Sequence, residues 1–320
     1  MPPKLVAVLA FFFVAAVAAQ TYPSRPVRLI VPAAPGGGTD ITARSVVPAI
    51  ADNLGQPIVI ENRGGAGGVV GTEVVAKAAP DGYTLLMVYI SHATNPTLVT
   101  KLPYDTERDF TPITLISHEP TVLVTNPSNP AKSLGEFIAW VKQESRAGKL
   151  SYATDPGSAG FLAAELFLQR IGAKVQYIPY KGSGPAAADV VAGHVPYMWS
   201  VISIVTPYAK AGRLKALATA DQQRAPSLPE VPTAAEAGLP DFAVSGWYGL
   251  VGPAKTPRNV VDAVYAATAK ALKNEAVLSR LAASGSLPIG GGPDEFGAHI
   301  KSEIGRWNRV LTTAGVQPTN

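Results

Sequence analysis

The sequence contains no cysteine in its 320 residues. That excludes a disulfide framework, a thiolate metal site and attachment to lipid through an N-terminal cysteine. Charge is sparse as well. Acidic and basic residues make up 16% of the chain, and 27 Lys/Arg against 23 Asp/Glu leave a net +4 with no basic block, so nothing in it tracks a phosphate backbone and no nucleic-acid partner is expected. The four histidines, His92, His118, His194 and His299, stand singly, and no pair has helical metal-ligand spacing. No phosphate loop ending in Gly-Lys-Ser/Thr occurs. The run Asn62 to Gly68 fails as a dinucleotide fingerprint, because the third glycine after Gly65 and Gly67 should fall where Val70 stands. Gly182-Ser183-Gly184 lacks the outer glycines of a nucleophile elbow, since Lys181 and Pro185 occupy those places. No cofactor and no metal are expected.

What is present is apolar: 47% of residues are hydrophobic, enough for a sizeable core, and the length suits two lobes of ordinary domain size. Lys4 precedes an uninterrupted apolar stretch, Leu5 to Val17, followed by small-residue cleavage sites at Ala16-Val17-Ala18 and Val17-Ala18-Ala19. Residues 1–19 read as a signal peptide, too short for a comfortable bilayer span. Without a twin Arg, general export is expected, giving a freely soluble periplasmic protein with no lipid anchor.

Downstream, strands and helices alternate. Val27 to Val31, Ile58 to Ile60, Thr84 to Val88, Val122 to Val124, Leu150 to Ala153, Val175 to Ile178, Pro196 to Trp199 and Leu214 to Ala218 read as strands. Helical stripes lie between most of them, and this order predicts a parallel sheet with right-handed crossovers. The end of the chain, from Val260, reads as helices that pack back over an earlier lobe. In open α/β sheets ligands collect at the carboxyl ends of strands, which points to loops 32–40, 89–96 and 153–160.

Two of these loops have a composition suited to an anion. Pro35-Gly36-Gly37-Gly38-Thr39-Asp40 lets backbone approach a ligand closely and leads into a helix with free N–H groups; it also suits an ordinary strand–helix turn. Tyr152 to Gly160 repeats the arrangement, with Ser158 as a helix cap. Two helix N-termini facing across a cleft would hold a carboxylate by backbone donors alone. His92, in Ser91-His92-Ala93-Thr94-Asn95, stands close enough to a strand end to reach the cleft or to be a structural loop histidine. Trp199, Trp247 and Tyr248 are either cleft or core aromatics, and Trp307 is core.

The residues also carry a family resemblance. From about Tyr22 to Gly315 the chain resembles substrate-binding proteins of tripartite tricarboxylate transporters, the Bug or TctC-like family. It does so in Pro35 to Asp40, in Leu54-Gly55-Gln56-Pro57 with Val59 to Arg63, and in Ala79 to Leu86. Further matching blocks are Pro103-Tyr104-Asp105 with Asp109 to Pro112, Pro179 to Pro185, and Pro229 to Thr233 with Glu236-Ala237-Gly238. The resemblance implies a two-lobed type II periplasmic-binding fold of α/β class with a ligand cleft between lobes. Lobe one would be 22–120 plus 246–320 and lobe two 121–245, with hinges near Glu119 to Val124 and Val244 to Gly249. It implies ligand contacts from Ala34, Pro35, Gly36, Gly37 and Asp40, from Ser91 and His92, and from Thr154, Gly157, Ser158, Ala159 and Phe161, with Trp199, Ser200 and Trp247 completing the pocket. It also implies a monomer that hands its ligand to membrane permease subunits.

Departures from the family pattern bear on the ligand. The second loop carries Asp155-Pro156, and Phe161 stands where a histidine is usual. Ser200 replaces an aspartate that would suit an amino group. With Trp199 beside it, the expected ligand is a mono- or dicarboxylate with an apolar or aromatic body rather than an amino acid. Two competing readings are a sensory binding protein that presents its ligand to a receptor, and a periplasmic hydrolase using Ser158 or Ser183 with His92.

Overall fold

The computed structural model describes residues 22–318 except 149 and 314, so the proposed signal peptide lies outside the described residues. Strand β1 (Val27–Val31) is buried at all but one position, as its β-branched sequence requires. It pairs in parallel with β2 (Ile58–Asn62) on one side and β3 (Thr84–Tyr89) on the other. Helix α1 (Gly38–Leu54) crosses from β1 to β2, and α2 (Val69–Ala76) from β2 to β3. Pro48 lies inside α1, and Gly55 ends it in the left-handed conformation.

The remaining strands of this first sheet depart from the parallel expectation. Strand β4 (Phe110–Thr125) and β9 (Ser245–Pro253) run antiparallel to each other, β9 runs antiparallel to β3, and β10 (Leu287–Gly291) runs antiparallel to β4. The reason is topological. β4 leaves the first lobe and β9 returns to it, so neither is fed by a helical crossover. Only the second half of β4 reads as a strand in the sequence, and β10 interrupts a tail expected to be helical.

β4 serves both lobes. Its pairing with β9 ends at Pro120↔Ser245, and its pairing with β7 (Tyr197–Val201) begins at Thr121↔Val201. β8 (Lys215–Thr219) lies along the same stretch of β4, also antiparallel. β5 (Ser151–Thr154) and β6 (Gln176–Pro179) form a parallel pair. Around these strands pack α4 (Leu134–Arg146), α5 (Ala159–Ile171), α6 (Ser183–Ala192) and α7 (Ile202–Lys210). This second lobe has an aromatic core in which the Trp199 ring lies 5.2 Å from Phe242 and 5.7 Å from Phe167.

In the first lobe α8 (Arg258–Ala271) packs on α1, and α10 (Pro293–Thr313) packs on α3 (Ser91–Leu98) and β4. Trp307 and Phe296 are fully buried there. The indoles of Trp247 and Trp307 both donate to Glu303 Oε2, at 3.1 and 2.9 Å, which satisfies both N–H groups in the core. Helix α9 (Glu275–Ser284) touches both α1 and α7. Segment 89–96, expected as a loop, is mostly α3. No helix among the described residues is long and apolar enough to cross a membrane.

Candidate functional site

The loop after β1 is held from behind by a single carboxylate. Asp40, almost fully buried, accepts from Gly36 N at 2.9 Å, from Arg44 Nε at 3.0 Å and from Asn62 Nδ2 at 3.0 Å. Asn62 also donates to Ala33 O at 3.1 Å. Burial pushes the Asp40 carboxyl upward, but the bonds from Arg44, Gly36 and Asn62 outweigh it and leave the group below its ordinary range. The turn needs a left-handed residue, and Gly36 supplies it at φ +76. Gly37 caps α1 with no side-chain bond, so the helix presents its first backbone donors outward.

Across the cleft, Gly157 plays the part of Gly36 at φ +80, and Ser158 caps α5 by accepting from Phe161 N at 3.2 Å. Helix α6 begins nearby, after Gly182, again with no side-chain cap. The lobes touch. Thr94 Oγ1 on α3 donates to Gly157 O at 3.2 Å. A Cβ placed on Gly184 would come within 3.3 Å of Gly36 O, and one on Gly182 within 3.3 Å of the Ala34 Cβ. The cleft is closed.

Between the lobes lies a narrow inner cavity of about 30 Å³, room for about one water molecule. Gly37, Gly38 and Thr39 at the start of α1 form one wall; Ser158, Ala159 and Gly160 at the start of α5 form the other; Gly182 and Ser183 add the start of α6. Three positive helix ends therefore converge on a cavity whose wall has no Arg, Lys or His. Tyr89, Ile90, Val201, Gly246, Trp247 and Tyr248 complete it, together with one charged side chain, Asp155. A wider outer cavity of about 460 Å³ continues from it, sharing Ala33, Tyr89 and Asp155.

The structure brings only some of the expected residues to these walls. Gly37, Ser158, Ala159 and Trp247 line the inner cavity, with Trp247 sending its indole nitrogen toward α10. Pro35 and Gly36 are exposed on the rim and Ala34 is a closure contact. Asp40 stands behind the loop. Gly157 supplies the interlobe bond, and Ser91 opens α3 beside Ile90. Thr154 is buried without a partner for its hydroxyl and lines neither cavity.

Four side chains expected at the pocket lie away from it. Trp199 is in the aromatic core of the second lobe because the alternation along β7 turns it inward. Ser200 is buried and off both cavity walls. Phe161 packs edge-on against Tyr177 at 5.6 Å on the flank of α5. His92 is buried at the start of α3, with its ring 4.9 Å from Phe110 and 6.5 Å from Tyr104. Neither ring nitrogen has a hydrogen-bond partner, and burial lowers its pKa to about 3, so it is neutral and not bonded to Ser158 or Ser183. Among the described residues, no group of three His, Asp or Glu could hold a metal.

Val201 and Gly246 lie outside every loop that the sequence pointed to, and Tyr89, Ile90 and Asp155 lie inside loops 89–96 and 153–160 without being among the expected contacts. No periodicity marks them, because the walls are assembled from both lobes and from the strands that link them. At that linkage Glu119, fully buried on β4, accepts from Thr42 Oγ1 at 3.3 Å, Ser203 Oγ at 2.6 Å and Tyr248 OH at 3.5 Å. Burial pushes its pKa up to about 7 against those bonds. The Tyr248 hydroxyl in turn sits over Gly38, where a Cβ would approach it to 2.2 Å, so only glycine lets α1 start there.

Comparison with known proteins fits this geometry. The family model described as the tripartite tricarboxylate transporter family receptor matches residues 42–316. Protein BugT of Bordetella pertussis is 39% identical over 98% of this chain and 98% of its own. The structure of periplasmic binding protein BugD superposes with a TM-score of 0.89 at 32% identity, covering 93% of this chain and all of that one. That of R. palustris Rpa4515 with adipate gives 0.89 at 34% identity over the same shares. With both lobes, the cleft and nearly the whole length matched, the chain belongs to the tripartite tricarboxylate transporter receptor family, the Bug or TctC-like solute-binding proteins.

Proposed function

We propose that this protein captures a small carboxylate in the periplasm by closing its two lobes, 22–120 plus 246–320 and 121–245, around it, and then presents it to the permease of a tripartite tricarboxylate transporter. The observation that carries the reading is the meeting of the α1, α5 and α6 N-termini at a cavity with no basic side chain in its wall. Backbone donors and helix ends bind an anion without the desolvation cost of burying a counter-charge. The outer cavity, walled by Val69, Leu98, Val99, Pro103, Pro156 and Pro179, suits an apolar body. The adipate held by Rpa4515 is a ligand of that kind. The protein binds and releases without chemistry: the ligand bridges the helix ends of both lobes and shifts the population toward the closed form.

The test is a thermal-shift screen of residues 20–320 against mono- and dicarboxylates, followed by calorimetry. A ligand at a hundred times its Kd adds about 2.7 kcal/mol of stability, and micromolar affinity corresponds to about −8 kcal/mol. Gly37→Leu, whose backbone φ of −77 suits any residue but whose Cβ would stand 3.2 Å from Ala34 O, should lose the shift, with circular dichroism and the ligand-free melting temperature checking the fold. Absence of a shift with every carboxylate would overturn the reading.

A further inference from the structure

The inner cavity is lopsided in its chemistry. Its donors are numerous: the N-termini of three helices. Against them stands one ionisable acceptor, Asp155, which lines both the inner and the outer cavity. Its backbone carbonyl accepts from Ser158 N at 3.0 Å, closing the turn into α5. Its carboxylate has no hydrogen-bond or ion-pair partner among the described residues. The nearest cations by position, Lys101 and Lys181, are exposed on the wall of the outer cavity and pair with no acid.

A partnerless carboxylate enclosed between lobes is costly unless something arrives to pair with it. A ligand carrying only a carboxylate brings a second negative charge beside the ionised form of Asp155, so the two can share the space only by taking up a proton. A ligand carrying a carboxylate and a protonated amine resolves both ends at once. Its carboxylate takes the helix donors and its ammonium takes Asp155 through a charge-assisted bond. The sequence expectation of an amine-free ligand rested on Ser200 and Trp199, and both lie off the cavity walls. The one acidic residue on the cavity walls, Asp155, comes instead from the loop before α5.

We propose that Asp155 is a specificity-determining residue that selects carboxylates bearing a protonated amine close to the carboxylate. The apolar outer cavity accepts the rest of the molecule, and Lys101 and Lys181 at its wall give a second, distal carboxylate a place to end. The proposal rests on the carboxylate-capture reading above and narrows it. Surrounding neutral groups support the placement. Burial first, and then the Asp155 charge, pushes the Tyr89 hydroxyl upward in pKa, and Asp155 also acts on Tyr248 after burial and Glu119. Asp155, Tyr89 and Tyr248 all line the inner cavity, and the acid is bonded to neither phenol.

The experiment is isothermal calorimetry on residues 20–320 with matched pairs that differ only in the amine: 2-aminoadipate and adipate, glutamate and glutarate, phenylalanine and 3-phenylpropionate, leucine and 4-methylpentanoate. The expected result is that in at least one pair the amine-bearing member binds about tenfold or more tighter. In Asp155→Asn that ratio collapses toward unity, while Asp155→Glu retains a preference of the same sign. Because the ionised side chain has no protein partner, Asp155→Asn should melt no lower than the wild type, and circular dichroism checks this. A plain carboxylate that binds as tightly as its amine partner, or tighter still in Asp155→Asn, overturns the assignment and leaves capture intact. Silence from both members of every pair overturns the capture reading, and this proposal with it.

Discussion

The two loops that face each other across the cleft are built alike and electrostatically opposite. Each follows a parallel strand, turns on one left-handed glycine, Gly36 or Gly157, and opens a helix toward the cavity. Each also carries one aspartate. Asp40 sits behind its loop and is saturated by Gly36, Arg44 and Asn62, so its charge is spent on holding the backbone donors in place. Asp155 sits in front of its loop with no partner. Asp40 is held below its ordinary pKa, whereas burial pushes Asp155 up to about 7. The same side chain thus acts as scaffold in one loop and as an open valence in the other. What separates the roles is the supply of donors, not the local sequence.

A third acid, Glu119, sharpens this contrast because it is both fully buried and bonded by hydroxyls from both lobes. Its folded pKa of about 7 lies above the ordinary 4.5, so the folded form binds the extra proton. Its contribution to stability is whole below about pH 4.5 and is lost as pH rises through about 7, an effect of up to about 3 kcal/mol. Urea unfolding across that range should show the decline, and Glu119→Gln should make it shallower, leaving the share that Asp155, also raised to about 7, contributes. An unchanged slope in the variant would remove Glu119 from the account.

Next in size is the scaffold acid. Asp40→Ala leaves Gly36 N, Asn62 and Arg44 without their acceptor and is expected to cost about 2 kcal/mol in urea unfolding. It should also weaken carboxylate binding, because the α1 donors lose their anchor. Asp155→Asn, the counterpart across the cleft, should bring no loss and, by removing an enclosed charge, a gain in stability above about pH 7. Equal losses in the two variants would break the distinction between the loops. A smaller loss than at Asp40 is expected at the second cap: Ser158→Ala removes the bond to Phe161 N and should lower stability by about 1 kcal/mol.

Much of this was legible in the chain. The β-branched run Val27 to Val31, the glycine-rich turn after it, the serine cap at the start of α5 and the apolar stripes of α8 and α10 are local patterns, and local sterics and burial suffice to read them. The two-lobed fold and the positions of both anion loops followed from these and from the family blocks. What could not be read depends on contacts distant in sequence. β4 and β9 take antiparallel partners because they bridge the lobes, and β10 becomes a strand because it lands beside β4. Likewise Trp199 and Ser200 leave the pocket because pairing of β7 with β4 fixes which faces of the strand turn to the core.

The sequence by itself therefore determined which segments are strands or helices at most positions, and that the helices after β1 and β5 begin at glycine- and serine-rich turns. Backbone donors need no particular side chain to be present, only a glycine or a cap at the right place. Only the tertiary structure decided which carboxylate is neutralised and which stays open. An aspartate's charge is settled by the donors within hydrogen-bond reach. For Asp40 these come from its own loop, its own helix and the end of β2; at Asp155 the fold brings none.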